Sequence, residues 1–542
     1  MTLHIRDLAA IPADIAVVGQ QVLPESNPYR VIGDHLADVL DDAQFADLYE
    51  ATGRAAISPS LLALVTLFQF MENIPDREAA VQVVVRLDWK YALHLPLSYA
   101  GFDYSCLCYF RRRLLEHGEE RLVFEEILGR VRALGLVKKR GKQRTDALAV
   151  LGAVRQLSAL ETVTETLRLA VRALEQADAA WTEREVPASL REQYVRTRPD
   201  YRLSEEERRA AVQQVGQDGV WLLERMDATA PAALCDLAAI QTLRTVWAQR
   251  YERVEGRTRV RAQTVDCTER IVTPHDPGVR AGEKRGKSWH GDKVHVTETA
   301  DAGAPTFITD VTTANAASGD AEALPVIRQH LAERDLGPAE QYVDASYVSG
   351  PQLAQSRAAG IELVGPPLPD TSPQQFKIAD FTIDRAAQQA ICPQGHRAVK
   401  WSARTESDGS RAVNIQFAAA TCAACPLRAP CTTSQSGRSL HLSAHYELLA
   451  ARRAEAQTAA FWDRMRARPA IEATLSELVR AHGLRRHRYR GQAKRAMENL
   501  FKAAACNLKR LVRALVARGR QDTAESGAAA AGARPFSLAV AA

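Results

Sequence analysis

The sequence predicts an α/β protein: a mixed-sheet core flanked and interrupted by helices. Three observations carry this. Between Gly291 and Val343 two strand-like runs are followed by a helix and a third strand, the order of a mixed sheet. Residues 1–140, 157–253 and those after Leu448 keep a helical period. Residues 366–445, rich in Pro, Gln, Thr and Cys, break both patterns and read as a small insertion.

The N-terminal region is predicted mostly helical. In "SPSLLALVTLFQFMENIPDREAAVQVVVRLDWKYALHL", Ser58 can N-cap a helix with Pro59 at its first position, and Leu61, Leu62, Val65 and Phe68 keep its period. "NIPDRE" breaks that helix, and Asp76 can cap the next. "DYSCLCYFRRRLLEHG" places Arg111, Arg112 and Arg113 in a row. Residues 1–140 thus read as a compact helical domain with a basic edge, for DNA binding or for dimerisation.

"KQRTDALAVLGAV" (Lys142 to Val154) is short, apolar and β-compatible, with Asp146 near its start. From Leu157 to Arg253 several helices are expected as an insertion, one opened by Ser204. Strand character returns in "RVRAQTVDCTERIVTP", "GDKVHVTETA" and "PTFITDVTTAN"; in the second, Lys293, His295 and Thr297 alternate with Val294 and Val296. "SGDAEALPVIRQHLAERDLGP" reads as a helix opened by Ser318 with Asp320 in its first turn, and "EQYVDASYVSG" ends a buried strand. Near the C-terminus Met497, Leu500, Phe501, Ala504, Leu508, Leu511, Val512 and Leu515 form a stripe, while Lys494, Arg495, Lys502, Lys509 and Arg510 fall largely off it. The tail from 521 to 542 is low in complexity and expected to be disordered. The core is therefore expected over 141–365 and 446–520, with the helical insertion at 157–253 and the cysteine-rich insertion at 366–445.

Composition is that of a soluble globular protein: of 542 residues, 46% are hydrophobic and 25% charged. No run of about 18 apolar residues is present, so no membrane span is expected. The start does not read as a signal peptide. The 9 cysteines are odd in number and unevenly spaced, which argues against a disulfide framework and for a reducing cytoplasm. The net charge of +5 is unevenly spread: Arg480 to Arg520 holds 13 Lys and Arg against Glu498 alone. A segment so basic points to a polyanion or forms a solvated helix face.

A carboxylate at a strand tip, as at Asp344, can cap the next turn or hold a metal. Asp146 sits on another predicted strand, and Glu472 borders the face of a helix marked by Ile471, Leu475, Leu478 and Val479. Brought together, three such carboxylates could hold two divalent cations, and hard oxygens suit Mg²⁺. Cys422 and Cys425 have the two-residue spacing of a tetrahedral Zn²⁺ site. Cys431 follows, and Cys392 can complete a closed structural set, with His396 as a substitute ligand. In "WHGDKVHV", Lys293 could approach phosphate and His295 reads as a core histidine. In "LRRHRYRG", Arg485, Arg486, Arg488 and Arg490, followed by Lys494, suit phosphate contacts, and Tyr489 could stack on a base. There is no Walker-type loop, so ATP use is not indicated.

"RTDALAVLGAVRQLSALETV", "DPGVRAGEKRGKSWHGDKVHVTET", "YVDASYVSG", "RPAIEATLSELVRAHGLRRHRYRG" and "AAACNLKRLVR" together resemble the DDE transposases of bacterial insertion sequences. "MENIPDREAAVQVVVRLDWKYALHLPL" and "DYSCLCYFRRRL" resemble the helical N-terminal domain of one branch of them. The likeness runs from about residue 30 to 515 and is weakest over 157–253. It implies a ribonuclease-H-like core with two Mg²⁺ (or Mn²⁺) ions on Asp146, Asp344 and Glu472. Arg468, four before Glu472, matches the Arg of the related Tyr-Arg-Glu-Lys signature, whose Tyr and Lys positions hold Met465 and Val479. Glu477 rivals Glu472. The implied partners are the element's terminal inverted repeats and target DNA, bound by a homodimer in the cytoplasm at the nucleoid. A non-catalytic DNA-binding derivative and a nuclease with the same core are the alternatives.

Overall fold

The computed structural model describes residues 2–6, 10–197, 202–263, 265–284, 286–369, 374–406 and 409–532, with side chains as far as 520. The predicted core strands form one mixed sheet. Strand β1 (Lys142–Leu151) lies at its centre. On one side it pairs antiparallel with β3 (Lys287–Thr299), Asp146 opposite Val296. The far edge of β3 carries β2 (Arg280–Lys284) beside its first residues and β4 (Ile308–Asn315) beside the rest. On the other side of β1 come β5 (Glu340–Tyr342) and then β6 (Glu362–Val364), both parallel to it. The order is β2-β3-β1-β5-β6, with β4 also paired to β3 on the edge that β2 shares.

Helix α3 (Asp320–Glu333) connects β4 to β5; its N-cap is Gly319, one residue later than expected, and Asp320 is in the first turn. Helix α4 (Ile471–Ala481) follows the cysteine-rich region, and α5 runs from Gln492 to Gly532. The expected tail thus enters α5 as far as Gly532, and 533–542 lie outside the described residues.

Helix α1 (Pro59–Glu72) is buried at every residue from Pro59 to Met71. A helix apolar on all sides needs neighbours on all sides. It packs against α5, as does α2 (Leu122–Ala133). One apolar cluster runs from Tyr29 and Phe68 through Val150, Val294 and Ile308 to Leu508 and Val512, so the N-terminal helices and the sheet share a core. The basic edge expected at Arg111–Arg113 is partly internal. Arg111 is buried on Asp76, and Arg113 donates 2.6 Å to the Leu48 carbonyl and stacks on Tyr49; Arg112 remains exposed.

The helices of the insertion, among them Ala159–Ala177, Glu205–Thr229 and Ala238–Arg250, enclose their own cluster around Leu167, Leu222 and Trp247. Ser158 with Glu161 and Ser204 with Glu207 form capping boxes at two of them. Strand character is expected over "RVRAQTVDCTERIVTP" (259–274), but among its described residues only Arg259 and Val260 lie in a strand: Arg257–Val260 pairs with Tyr251–Val254 in a hairpin outside the main sheet, and Thr264 lies outside the described residues. The cysteine-rich region holds a three-stranded sheet, Lys400–Thr405, Arg411–Gln416 and Ser439–Leu442, around Phe381, Ile415, Phe417 and Leu440.

The basic face expected along α5 is also corrected. Arg495 and Lys502 are fully buried. Arg495 Nε donates 2.5 Å to Asp292 and its Nη1 pairs with Asp276, while Lys502 Nζ lies 2.6 Å from Glu498. Acids on β3 and before β2, far off in sequence, take Arg495 into the core, while Lys502 is neutralised by Glu498 one turn earlier on α5.

Candidate active site

Parallel pairing of β1 with β5 brings Asp146 and Asp344 to neighbouring strands. Asp344 stands two residues past the end of β5 and caps the turn Ala345–Tyr347, its Oδ1 accepting the Ser346 N–H at 2.9 Å. Glu472 is the second residue of α4 and stays exposed. Arg468, just before α4, reaches all three. Its Nη2 lies 2.7 Å from Asp146 Oδ2 and 3.7 Å from Asp344 Oδ2, and its Nη1 lies 3.5 Å from Glu472 Oε1. Because one nitrogen serves both aspartates, their Oδ2 atoms are no farther apart than those two contacts laid end to end.

Asp146 is buried, and burial is the largest influence on it: its carboxyl is held above the usual range, with Asp344 adding to the rise and Arg468 opposing it. Two close carboxylates in a partly dry place need a cation, which the guanidinium supplies.

Glu477, the rival, faces α5. Its carboxylate takes Arg510 at 2.8 Å and Arg513 at 3.4 Å. The geometry therefore groups Glu472 with the aspartates. Among the described residues, Glu477, His482 and Cys506 form the one group of three metal-type side chains whose ligand atoms lie within 4.8 Å of one another.

A second layer lies beside Asp344, which the sequence reading did not single out. Ser346 Oγ donates 2.7 Å to Asp320 Oδ2 and also lies against Asp344 Oδ1. Lys293, expected at a phosphate, lies 3.1 Å from Asp320 and donates 2.6 Å to the Ser318 carbonyl. His295 is fully buried with its Nδ1 2.6 Å from the Tyr347 hydroxyl; burial lowers its pKa to about 4, so the ring is neutral. The signal available was the position of Asp320 in the first turn of the helix that enters the sheet beside Lys293.

The loop after α4 turns at Gly483, whose φ is +67°. It then pairs with the end of β1: the Leu151 N–H donates 3.1 Å to Arg485 and the His487 N–H donates 2.8 Å to Leu151. Arg485, Arg486, Arg490 and Lys494 are exposed. Arg490 also donates 3.3 Å to the Ala153 carbonyl. Arg488 is turned inward, donating 2.6 Å to the Ile74 carbonyl and 2.5 Å to Asn73. Tyr489, expected to stack on a base, is packed beneath Arg111 with its hydroxyl buried, which corrects that expectation.

Cys392, Cys422, Cys425 and Cys431 line one pocket with His396, Phe376 and Phe417. Burial, joined by the three neighbouring thiols, pushes the Cys431 thiol up while Arg438 opposes it. No three of these cysteines come within the 4.8 Å that the Glu477 group meets.

Two families match the chain. Residues 391–512 match the family described as Transposase DDE domain, and residues 17–113 match the one described as Transposase domain (DUF772). The first match includes Arg468, Glu472 and the four cysteines; Asp146 and Asp344 lie outside both. Neither a curated protein nor a solved structure matches. No helix among the described residues is long and apolar enough to cross a membrane. A DDE domain implies use of a divalent metal and of DNA. With one transposase domain matched in each half of its length, the two matches support a DDE-type transposase.

Proposed function

We propose that this transposase cuts DNA at the ends of an insertion sequence and joins the freed 3′-hydroxyl to target DNA, with Asp146, Asp344 and Glu472 as ligands of two Mg²⁺ or Mn²⁺ ions. The observation that carries this reading is the convergence of the three carboxylates on one cationic group, Arg468. Carboxylate oxygens from two adjacent strands and a helix start match a hard divalent ion. When bound, such a pair polarises the attacked phosphate and activates the attacking water or 3′-hydroxyl. Arg468 holds the carboxylates in place and offers its planar fork to a phosphate near the scissile bond. In-line displacement needs no covalent enzyme intermediate.

The strand order, three antiparallel strands followed by two parallel to the first, supports a ribonuclease-H-like core. The exposed Arg485, Arg486, Arg490 and Lys494 continue the site's surface and would lie on flanking phosphates. The N-terminal helices serve end binding or pairing in a homodimer, because two ends must be held at once. Cys392, Cys422, Cys425 and Cys431 share one pocket and suit a structural Zn²⁺ if their sulfurs draw in to tetrahedral distances. Metal analysis is expected to find one zinc per chain, lost in Cys422→Ser; zinc-free protein of unchanged stability removes that assignment.

The function is tested by incubating the protein with linear element ends and Mg²⁺ or Mn²⁺ and mapping the products. Wild type gives nicks at the end and strand-transfer products. Asp146→Ala, Asp344→Ala and Glu472→Gln give neither but still bind the ends. Cleavage without joining identifies a nuclease, and binding without metal-dependent products identifies a non-catalytic derivative.

A further inference from the structure

We propose that Asp320 is a positioning residue for Asp344, acting through the Ser346 hydroxyl and itself held by Lys293. The inference rests on the reading of Asp344 as a metal ligand.

Ser346 Oγ, with a single proton to give to one of them at a time, stands between two carboxylates from different elements: Asp320 Oδ2, in the first turn of α3, and Asp344 Oδ1, just past the end of β5. The Ser346 N–H also meets Asp344 Oδ1, at 2.9 Å. Both contacts fall on the same oxygen of Asp344. Its other oxygen, Oδ2, is the one that faces Arg468 and thus the other carboxylates. Asp344 therefore has one tied oxygen and one presented oxygen.

Asp320 is itself fixed from behind. Lys293 Nζ lies 3.1 Å from its Oδ1 and donates 2.6 Å to the Ser318 carbonyl, so the ammonium clamps both the acid and the backbone that precedes α3. Two residues along β3, on the same face of the strand, His295 meets the Tyr347 hydroxyl at 2.6 Å. The turn 344–347 is thus gripped at two points by one face of β3, at Ser346 through Asp320 and at Tyr347 directly. A ligand carboxylate held by outer partners keeps its direction without further ordering when an ion arrives. The competing reading makes Asp320 only a first-turn acid that suits the helix dipole. That role would move stability and leave the metal response alone.

The test is a Mn²⁺ titration of the full-length protein by electron paramagnetic resonance, with thermal melting of each variant. The variants are Asp344→Ala, Asp320→Asn, Ser346→Ala and Ser346→Thr. Asp344→Ala is expected to abolish site binding. Asp320→Asn and Ser346→Ala are expected to weaken it about 10–100-fold, the usual effect of losing an outer partner. Ser346→Thr, which keeps the hydroxyl, should bind nearly as wild type. Should Asp320→Asn fail to fold, the Ser346 pair decides alone. Wild-type affinity in Asp320→Asn and Ser346→Ala, with binding lost in Asp344→Ala, overturns the proposal and leaves the metal site standing. If wild type shows no Mn²⁺ binding that Asp344→Ala removes, the metal-site reading fails first and the proposal falls with it.

Discussion

Arg485 and Arg488 stand three residues apart in one basic run and do different work. Arg485 is exposed, whereas Arg488 spends its guanidinium on Ile74 and Asn73. Replacing Arg485 and Arg486 by alanine should weaken binding to any duplex and flatten the slope of log affinity against log salt by about 0.9 per lost contact. Arg488→Ala should leave that slope near wild type and lower the melting temperature. Affinity measured against salt for both variants checks this; equal slope changes would return Arg488 to the DNA surface. The sequence showed the charge of this run but not which guanidinium was already engaged, because Asn73 and Ile74 lie more than 400 positions earlier. The choice between Glu472 and Glu477 was hidden for a related reason. Five residues on a helix place them on different faces, and only the docking of α4 decides which face meets β1.

At the scale of elements, the strands that carry the site were legible because β-branched and apolar residues alternate or cluster in them. Asp146 stood out as an acid inside one apolar strand and Asp344 as an acid just past the end of another. The stripe of α5 was legible too. The strands of the cysteine-rich region were not, since Gln, Ser, Thr and Arg occupy much of "KWSART" and "RAVNIQ". The burial of Arg495 was equally invisible without Asp276 and Asp292 beside it. The same buried network predicts a pH dependence. Burial alone would lower the pKa of His487, but Asp292 at 3.1 Å and Glu498 at 3.5 Å outweigh it and hold the ring above its ordinary value. A histidine raised on folding stabilises fully below its unfolded pKa, about 6.5, and loses that contribution as pH rises through the folded value. The urea midpoint of wild type should therefore fall as pH is raised from about 6.5 upward. His487→Gln should start lower and lose that part of the slope. An unchanged pH profile in His487→Gln would show that the ring is neutral in the fold.

Across the whole molecule, the mixed sheet with many helices that the sequence predicts is present. The join between the N-terminal helices and the core could not be read, because its contacts are long-range. That join is tight. The end of α1 is stitched to the loop beside β1: His482 Nδ1 meets the Phe70 carbonyl at 2.9 Å, and Arg488 holds the next turn. Lys502 in turn donates 3.0 Å to the Gly483 carbonyl, tying α5 into the same knot. On the proposed function, with no slack between the helices that would grip an element end and the carboxylates that would cut it, the frame would serve as a ruler. The distance from recognised sequence to severed bond would then be constant, and mapped cleavage of end-containing DNA should fall at one nucleotide.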